Sequence, residues 1–280
     1  KAAAELLISQ PAVTKQINEL ERLVGRPLFL RHGNRISLTD DGVRLLGYAN
    51  RILALYGELR DAFLDEQGAL TGEIRLGAST TLSQYVLPGL LALFRKQYPD
   101  IRVTLCSGNT EQIERQIADG KLDFGVIEGT ASNPALHYEP FMDDELVLVT
   151  STANRTFPEE EISAADLPKL PLLIRENGSG TLEVLSRELA RHRLSLRQLH
   201  IEMQLGSTES IKHYLFHSDM FAFLSVQAVL EELASNRLRV VEVSDMELIR
   251  RFSFVTAHGQ RSRLTDLLKQ FCLNHYNQKL

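Results

Sequence analysis

The sequence predicts an α/β protein of two Rossmann-like lobes, preceded by a small α-helical head with a β-hairpin and by a long connecting helix. Three observations predict it. From residue 73 onward short apolar strands alternate with amphipathic helices, the βαβ rhythm of a parallel sheet. The rhythm restarts near residue 151, and a late strand at 252–257 returns to the first lobe, so two crossings join the lobes as a hinged clamshell. Ahead of them, residues 40–66 carry a heptad seam over several turns.

At 280 residues the chain is long enough for about two domains and a sizeable core. Charged residues are 24% and hydrophobic ones 44%, an ordinary globular balance, with a net charge of −5. A broadly polyanion-coating protein is therefore excluded, and any nucleic-acid contact must come from a local patch. Residues 9–39 supply one. Lys15, Arg22, Arg26, Arg31 and Arg35 stand there against only Glu19 and Glu21, on a chain that is acidic elsewhere. Cys106 and Cys272 have no CxxC partner and read as reduced thiols, which suits the cytoplasm. No signal peptide or apolar run of transmembrane length is present in the sequence, so no membrane partner is expected.

The head is organised around one helix, 9–25. Ser9 is a good N-cap, because its side-chain oxygen can accept from a first-turn N–H. Pro11 follows where its missing N–H costs nothing. Val13, Ile17, Leu20 and Val24 recur at helical spacing, and Gly25 ends the helix. Gln10, Thr14, Lys15, Asn18 and Arg22 lie off that stripe, with side chains suited to base edges and phosphates. Leu28 and Phe29 resume apolar character. Arg31-His32-Gly33-Asn34-Arg35 then reads as the tip of a hairpin within a wing at 27–38. A capped helix with a polar face and a basic hairpin is how a winged helix-turn-helix meets DNA, helix in the major groove and Arg31 and Arg35 on phosphates or in the minor groove. The DNA-facing set is Ser9, Gln10, Pro11, Thr14, Lys15, Asn18, Arg31 and Arg35.

Thr39 or Asp40 caps the next helix. Leu45, Ala49, Ile52, Tyr56, Leu59 and Phe63 alternate steps of four and three along it. At 1.5 Å per residue it is roughly 40 Å long, more than a small head can cover, so the seam calls for a second copy of itself. Residues 67–72 form a hinge. The domains are 1–39 (DNA-binding head), 40–72 (linker and dimerisation helix with hinge) and 73–280, with lobe I at 73–150 and 254–280 and lobe II at 151–253. Beyond 73 the helices are expected at 83–97, 109–119, 180–192, 208–217, 227–234 and 262–276.

In open α/β sheets ligands sit beyond the carboxyl ends of strands, at helix N-termini. Three such turns are rich in hydroxyls: Ser79-Thr80-Thr81, Asn177-Gly178-Ser179-Gly180-Thr181, and Ser207-Thr208. Free N–H groups and helix dipoles make each a candidate anion seat. Ser225 and Glu128, at other strand ends, join the cleft, although an ionised Glu128 disfavours an anion. Enzymatic readings are thin. The histidines have no HExxH spacing, Gly178-Ser179-Gly180 is not a nucleophile elbow, and there is no Walker run or GxGxxG, so no catalytic residue, metal or cofactor is assigned.

The run Ser9-Gln10-Pro11-Ala12-Val13-Thr14, then Ile17, Leu20-Glu21, Leu23, Gly25, Pro27-Leu28-Phe29, Leu38-Thr39 and Gly42, resembles the N-terminal domain of LysR-type transcriptional regulators. The resemblance spans the whole chain, specific in the first 70 residues and architectural beyond. It implies a periplasmic-binding-protein type II-like regulatory domain, with the effector between the lobes at Ser79, Thr81, Ser179, Thr181 and, less directly, Thr208. It also implies that the long helix dimerises the protein, that dimers pair into tetramers, and that RNA polymerase is a further candidate partner. In the family a helix precedes Lys1-Ala2-Ala3-Ala4-Glu5-Leu6-Leu7, so the chain is expected to be truncated at its start. Leu182 stands where similar regulators often carry arginine, which removes one anion clamp. The expected function is a ligand-responsive, sequence-specific regulator of double-stranded DNA, its effector a small anion or metabolite. The alternative is a solute-binding protein that uses the two lobes without DNA binding.

Overall fold

The computed structural model describes residues 9–32, 35–49, 52, 70–129, 133–259 and 262–276. The chain divides into two compact units, residues 1–68 with 273–280, and residues 69–272.

In the first unit α1 (Gln10–Val24) starts and stops as its sequence demands. Ser9 is extended, and its hydroxyl accepts from Ala12 N–H at 3.4 Å. Gly25 closes the helix at φ +71°, donating to Glu21 O. The apolar stripe is less covered than its spacing predicts: Val13 and Ile17 are half-buried, whereas Leu20 and Val24 are exposed. Glu21 ties the helix to the wing, accepting from the backbone N–H of Leu28 and Phe29 at 2.7 and 3.3 Å. Strands β1 (Phe29–His32) and β2 (Arg35–Leu38) pair antiparallel, with His32 opposite Arg35. Thr39, not Asp40, caps the helix α2, described over residues 40–49, by accepting from Gly42 N–H at 2.9 Å. Along its seam Leu45 and Ala49 are half-buried and Ile52 is exposed. Tyr56, Leu59 and Phe63 lie outside the described residues, as does the expected helix at 1–8.

The second unit begins with β3 (Gly72–Ser79), a π-turn (Leu82–Val86) and α3 (Leu87–Gln97). Next come β4 (Ile101–Gly108), α4 (Thr110–Ala118), β5 (Phe124–Glu128) and the long β6 (Leu136–Ser151). Lobe II follows with β7 (Glu161–Ile162), β8 (Pro171–Arg175), α5 (Gly180–Arg191) and β9 (His200–Leu205). It continues through α6 (Thr208–Leu215), β10 (Phe221–Ser225), α7 (Val226–Ala234) and β11 (Leu238–Val243), before β12 (Ile249–Ala257) and α8 (Arg263–Tyr276). Strand order is β4-β3-β5-β12-β6-β10-β8-β9.

The parallel strands behave as expected, but each lobe's sheet is mixed rather than purely parallel. β6 runs through both lobes, pairing antiparallel with β12 over Leu136–Glu145 and with β10 and β11 over Leu146–Ser151. This pairing moves the crossings from the expected 150/151 and 253/254 to 145/146 and 248/249. They touch there, Leu146 N–H donating to Leu248 O at 3.0 Å. The first lobe I helix also differs. Helical structure starts at Thr80, not Ser83, and passes through the π-turn, so Thr80 and Thr81 sit in a first turn rather than a loop.

Both faces of the lobe II sheet carry apolar cores, one around Leu172, Leu185 and Phe221, the other around Leu173, Ile211 and Val229. Lobe I packs Ile113, Ile117, Ile127 and Val255 together. Cys272 lies in the interior, where burial pushes its thiol up to about 12. A thiol so far above neutral is unreactive.

Candidate functional site

Two sites emerge, one in each unit. On α1, Gln10, Pro11, Thr14, Lys15, Asn18, Glu19 and Arg22 line one continuous exposed face. Helical spacing places them there: the capped start fixes the phase, and positions 10, 14, 18 and 11, 15, 22 stack along one side. Thr14 donates its hydroxyl back to Gln10 O at 3.1 Å, which leaves the hydroxyl oxygen as an outward acceptor. Ser9 is the cap itself. The side chains of Arg31 and Arg35 lie outside the described set, although both residues belong to the hairpin strands.

The second site lies between the lobes, where the strands cross. Its hub is Arg250 on β12, a residue the sequence reading did not single out. Its side chain is wholly buried. Arg250 Nε donates to Asp144 Oδ2 at 2.7 Å, and Nη1 lies 2.6 Å from Glu128 Oε2. The same Nη1 donates to Thr181 Oγ1 of lobe II at 2.9 Å, and Nη2 to Thr81 Oγ1 of lobe I at 3.3 Å. Ser225 completes the group, donating to Asp144 Oδ1 at 2.8 Å. One guanidinium thus joins both lobes and two carboxylates. Burial, reinforced by Glu128, holds the Asp144 carboxyl above its usual value, although Arg250 and Ser225 act against that. The Glu128 contact is close but poorly aligned, so neither Glu128 oxygen accepts a well-directed hydrogen bond.

Thr81, Glu128, Thr181 and Ser225 of the expected cleft set therefore meet at one point. Ser79, Thr80 and Ser179, neighbours in sequence of Thr81 and Thr181 or one residue further, are buried with hydroxyls that have no hydrogen-bond partner among the described residues. Ser179 is the N-cap of α5 in position, yet its side chain makes no cap bond. Gly180 explains how close the lobes come. A Cβ there would fall 2.3 Å from Glu128 O and 2.6 Å from Glu128 Cγ.

Three expected residues lie elsewhere. Thr208 accepts from Arg175 Nη1 at 3.1 Å, in a separate lobe II network in which Arg175 also forks onto Glu176 at 2.8 and 2.9 Å. Asn177 is exposed at the mouth, because its carbonyl is taken by Asn109 Nδ2 at 3.3 Å. Gly178, at φ +83°, accepts through its own carbonyl from Glu111 N–H at 3.3 Å. These contacts fasten lobe II to the start of α4. A further bridge went unread in the sequence: Tyr85 of lobe I donates to Glu209 of lobe II, and Lys212 holds Glu209 and Glu232 at 2.9 and 2.8 Å. Burial, then Glu209, raises the Tyr85 hydroxyl well above its ordinary range. Among the described residues no group of three or more His, Cys, Asp or Glu is placed to hold a metal, and no helix is long and apolar enough to cross a membrane.

Known proteins share both parts. Residues 1–43 match the family described as "Bacterial regulatory helix-turn-helix protein, lysR family", and residues 67–277 match "LysR substrate binding domain". A probable RuBisCO transcriptional regulator of Cyanidioschyzon merolae is 36% identical over 259 residues, spanning 91% of this chain and 86% of that protein. One from Trichormus variabilis is 33% identical over 288 residues, spanning 99% and 85%. Among solved structures, the regulatory domain of Synechocystis CcmR in complex with 2-PG superposes with a TM-score of 0.66 at 26% identity, over 72% of this chain and 96% of that one. An H2O2-bound OxyR of Corynebacterium glutamicum shares the fold at TM-score 0.63 and 21% identity, over 99% and 86%. With a DNA-reading head and a two-lobed sensing body both matched, the chain belongs to the LysR family of ligand-responsive, DNA-binding transcriptional regulators.

Proposed function

We propose that this regulator reads DNA with the exposed face of α1 and with the wing, and that a small effector seated between the lobes sets the geometry of the DNA-bound oligomer. Gln10, Pro11, Thr14, Lys15 and Asn18 meet base edges and nearby backbone, Ser9 fixes the helix start, and Arg31 and Arg35 neutralise phosphate. The head at 1–39 is carried by a dimerising helix at 40–72, whose seam is Leu45, Ala49, Ile52, Tyr56, Leu59 and Phe63. Dimers pair into tetramers and contact RNA polymerase in the cytoplasm. The body at 73–280 holds the effector at Ser79, Thr80, Thr81, Glu128, Ser179, Thr181 and Ser225.

One observation carries this reading. Arg250 bonds Thr81 of one lobe and Thr181 of the other beside the crossings, so a ligand that competes for these hydroxyls changes how the lobes close. The Synechocystis relative binds 2-PG, which makes 2-PG a first probe. Mobility shift of the full chain on an inverted-repeat operator, with and without probe, tests it. Gln10→Ala costs about 1–3 kcal/mol of discrimination between operators. Arg35→Ala weakens all DNA alike and lowers the salt dependence by about one counterion. Ser179→Ala abolishes the probe's effect on the shift. A normal probe response in that variant removes the cleft from the reading, and loss of sequence preference alone in Arg35→Ala removes the wing.

A further inference from the structure

Between the lobes the buried hydroxyls of Ser79, Thr80 and Ser179 have no hydrogen-bond partner among the described residues, and beside them the buried Glu128 carboxylate meets Arg250 in a close but poorly aligned contact. The topology gathers them. β3 and β5 lie side by side with Ala78 opposite Val126, so Ser79 and Glu128 both stand at the carboxyl ends of neighbouring strands. Gly180 rests against Glu128, so Ser179 is one residue from the same carboxylate. A buried polar group left unsatisfied is destabilising, so these groups gathered in one place mark a seat whose occupant completes them.

The kinds of group decide the kind of occupant. A serine or threonine hydroxyl can donate or accept, whereas an ionised carboxylate only accepts. Arg250 is already divided among Asp144, Glu128, Thr81 and Thr181. One guanidinium thus serves two carboxyl groups in a dry surrounding. A sulfate or a dicarboxylate offers acceptors to the three hydroxyls but meets Glu128 as a like charge, with nothing to donate to it. A ligand that carries a hydroxyl donates to Glu128 and accepts from Ser79, Thr80 or Ser179.

We infer that Glu128 is the specificity-determining residue of this cleft, and that it selects a small hydroxyl-bearing ligand, a hydroxy acid or polyol, over a donor-free anion. This rests on the cleft being the effector seat. It sharpens the small anion or metabolite expected from the sequence, because the hydroxyl rather than the negative charge becomes the recognised feature.

Calorimetry on the full chain separates the two classes, with D-glycerate and shikimate as hydroxylated acids and malonate and sulfate as donor-free anions. The wild-type protein binds a hydroxylated acid and rejects malonate and sulfate. Glu128→Gln weakens the hydroxylated acid by about tenfold, the loss of one hydrogen bond to a charged acceptor, and admits malonate. Malonate or sulfate binding the wild type more tightly than either hydroxylated acid overturns the inference, whatever the variant does. If Ser179→Ala abolishes that anion binding, the cleft stands as the seat and only the selection by Glu128 falls. Silence from all four probes, or binding indifferent to both substitutions, overturns the inference and the cleft assignment together.

Discussion

Strands β6 and β12 carry two arginine–aspartate pairs one residue apart, in opposite surroundings. Arg250 faces Asp144 and Arg251 faces Asp143 across the same antiparallel ladder. The first pair is 0% exposed on both sides, and the second 46% and 55%. The bond lengths are alike, 2.7 and 2.8 Å. Alternation along a strand sends one pair into the hinge and the other into water. Chemistry and distance are shared; the buried pair differs in its desolvation and in its further partners Glu128, Thr81, Thr181 and Ser225. A buried charge left without its partner is far more costly than an exposed one.

That contrast can be broken most forcefully at Arg250. Arg250→Met strands Glu128 and Asp144 in the interior and lowers stability by about 3–5 kcal/mol in denaturant unfolding. Adding Glu128→Gln and Asp144→Asn to that variant removes both stranded charges and restores most of the loss. If the triple variant is no more stable than Arg250→Met, packing rather than charge holds the hinge. Arg251→Ala, by contrast, changes stability by about 0–1 kcal/mol, and less at high salt.

Acid titration sharpens the same comparison. Burial keeps Asp144 above its ordinary value of 3.8. A carboxyl raised in the folded state adds stability below its unfolded value and loses it as pH rises through the folded one. Raising pH from about 4 toward neutral therefore costs the wild type stability relative to Asp144→Asn. Asp166 has the opposite sign. Lys169 and Ser163 hold its exposed carboxyl down at about 2, so its contribution is present above 3.8 and fades as pH falls toward that lower value. Unfolding of Asp144→Asn and Asp166→Asn across this range should give slopes that differ from wild type in opposite directions.

The same strands show what was legible beforehand. In the head the start and end of α1 and the cap of α2 could be read from the sequence, because Ser9, Gly25 and Thr39 act through local hydrogen bonds that depend only on neighbours in sequence. The parallel strands and the hydroxyl-rich turns followed from periodicity. The first half of β6 did not, because Pro140 and a run of acids contradict a strand; the structure accommodates them where the β6–β12 register shifts between Phe252 and Ser253. Arg250 and Asp144 were missed as site residues. Yet Leu248, Arg250, Phe252 and Phe254 share one face, as do Met142, Asp144, Leu146 and Leu148, and all eight are buried. A charge in step with an inward apolar face was the available signal. Thr208 was grouped with the others because its helix start resembles theirs, and nothing local reveals that its hydroxyl meets Arg175 rather than Arg250.

The fit at Gly180 has a mechanical consequence. Glu128 leaves space there for a hydrogen atom and nothing larger, so a lone methyl group would act as a shim, propping the jaw ajar without any chemical signal. Gly180→Ala, a single-codon change, is therefore expected to blunt the effector response while operator binding persists, which a mobility shift with and without probe would check.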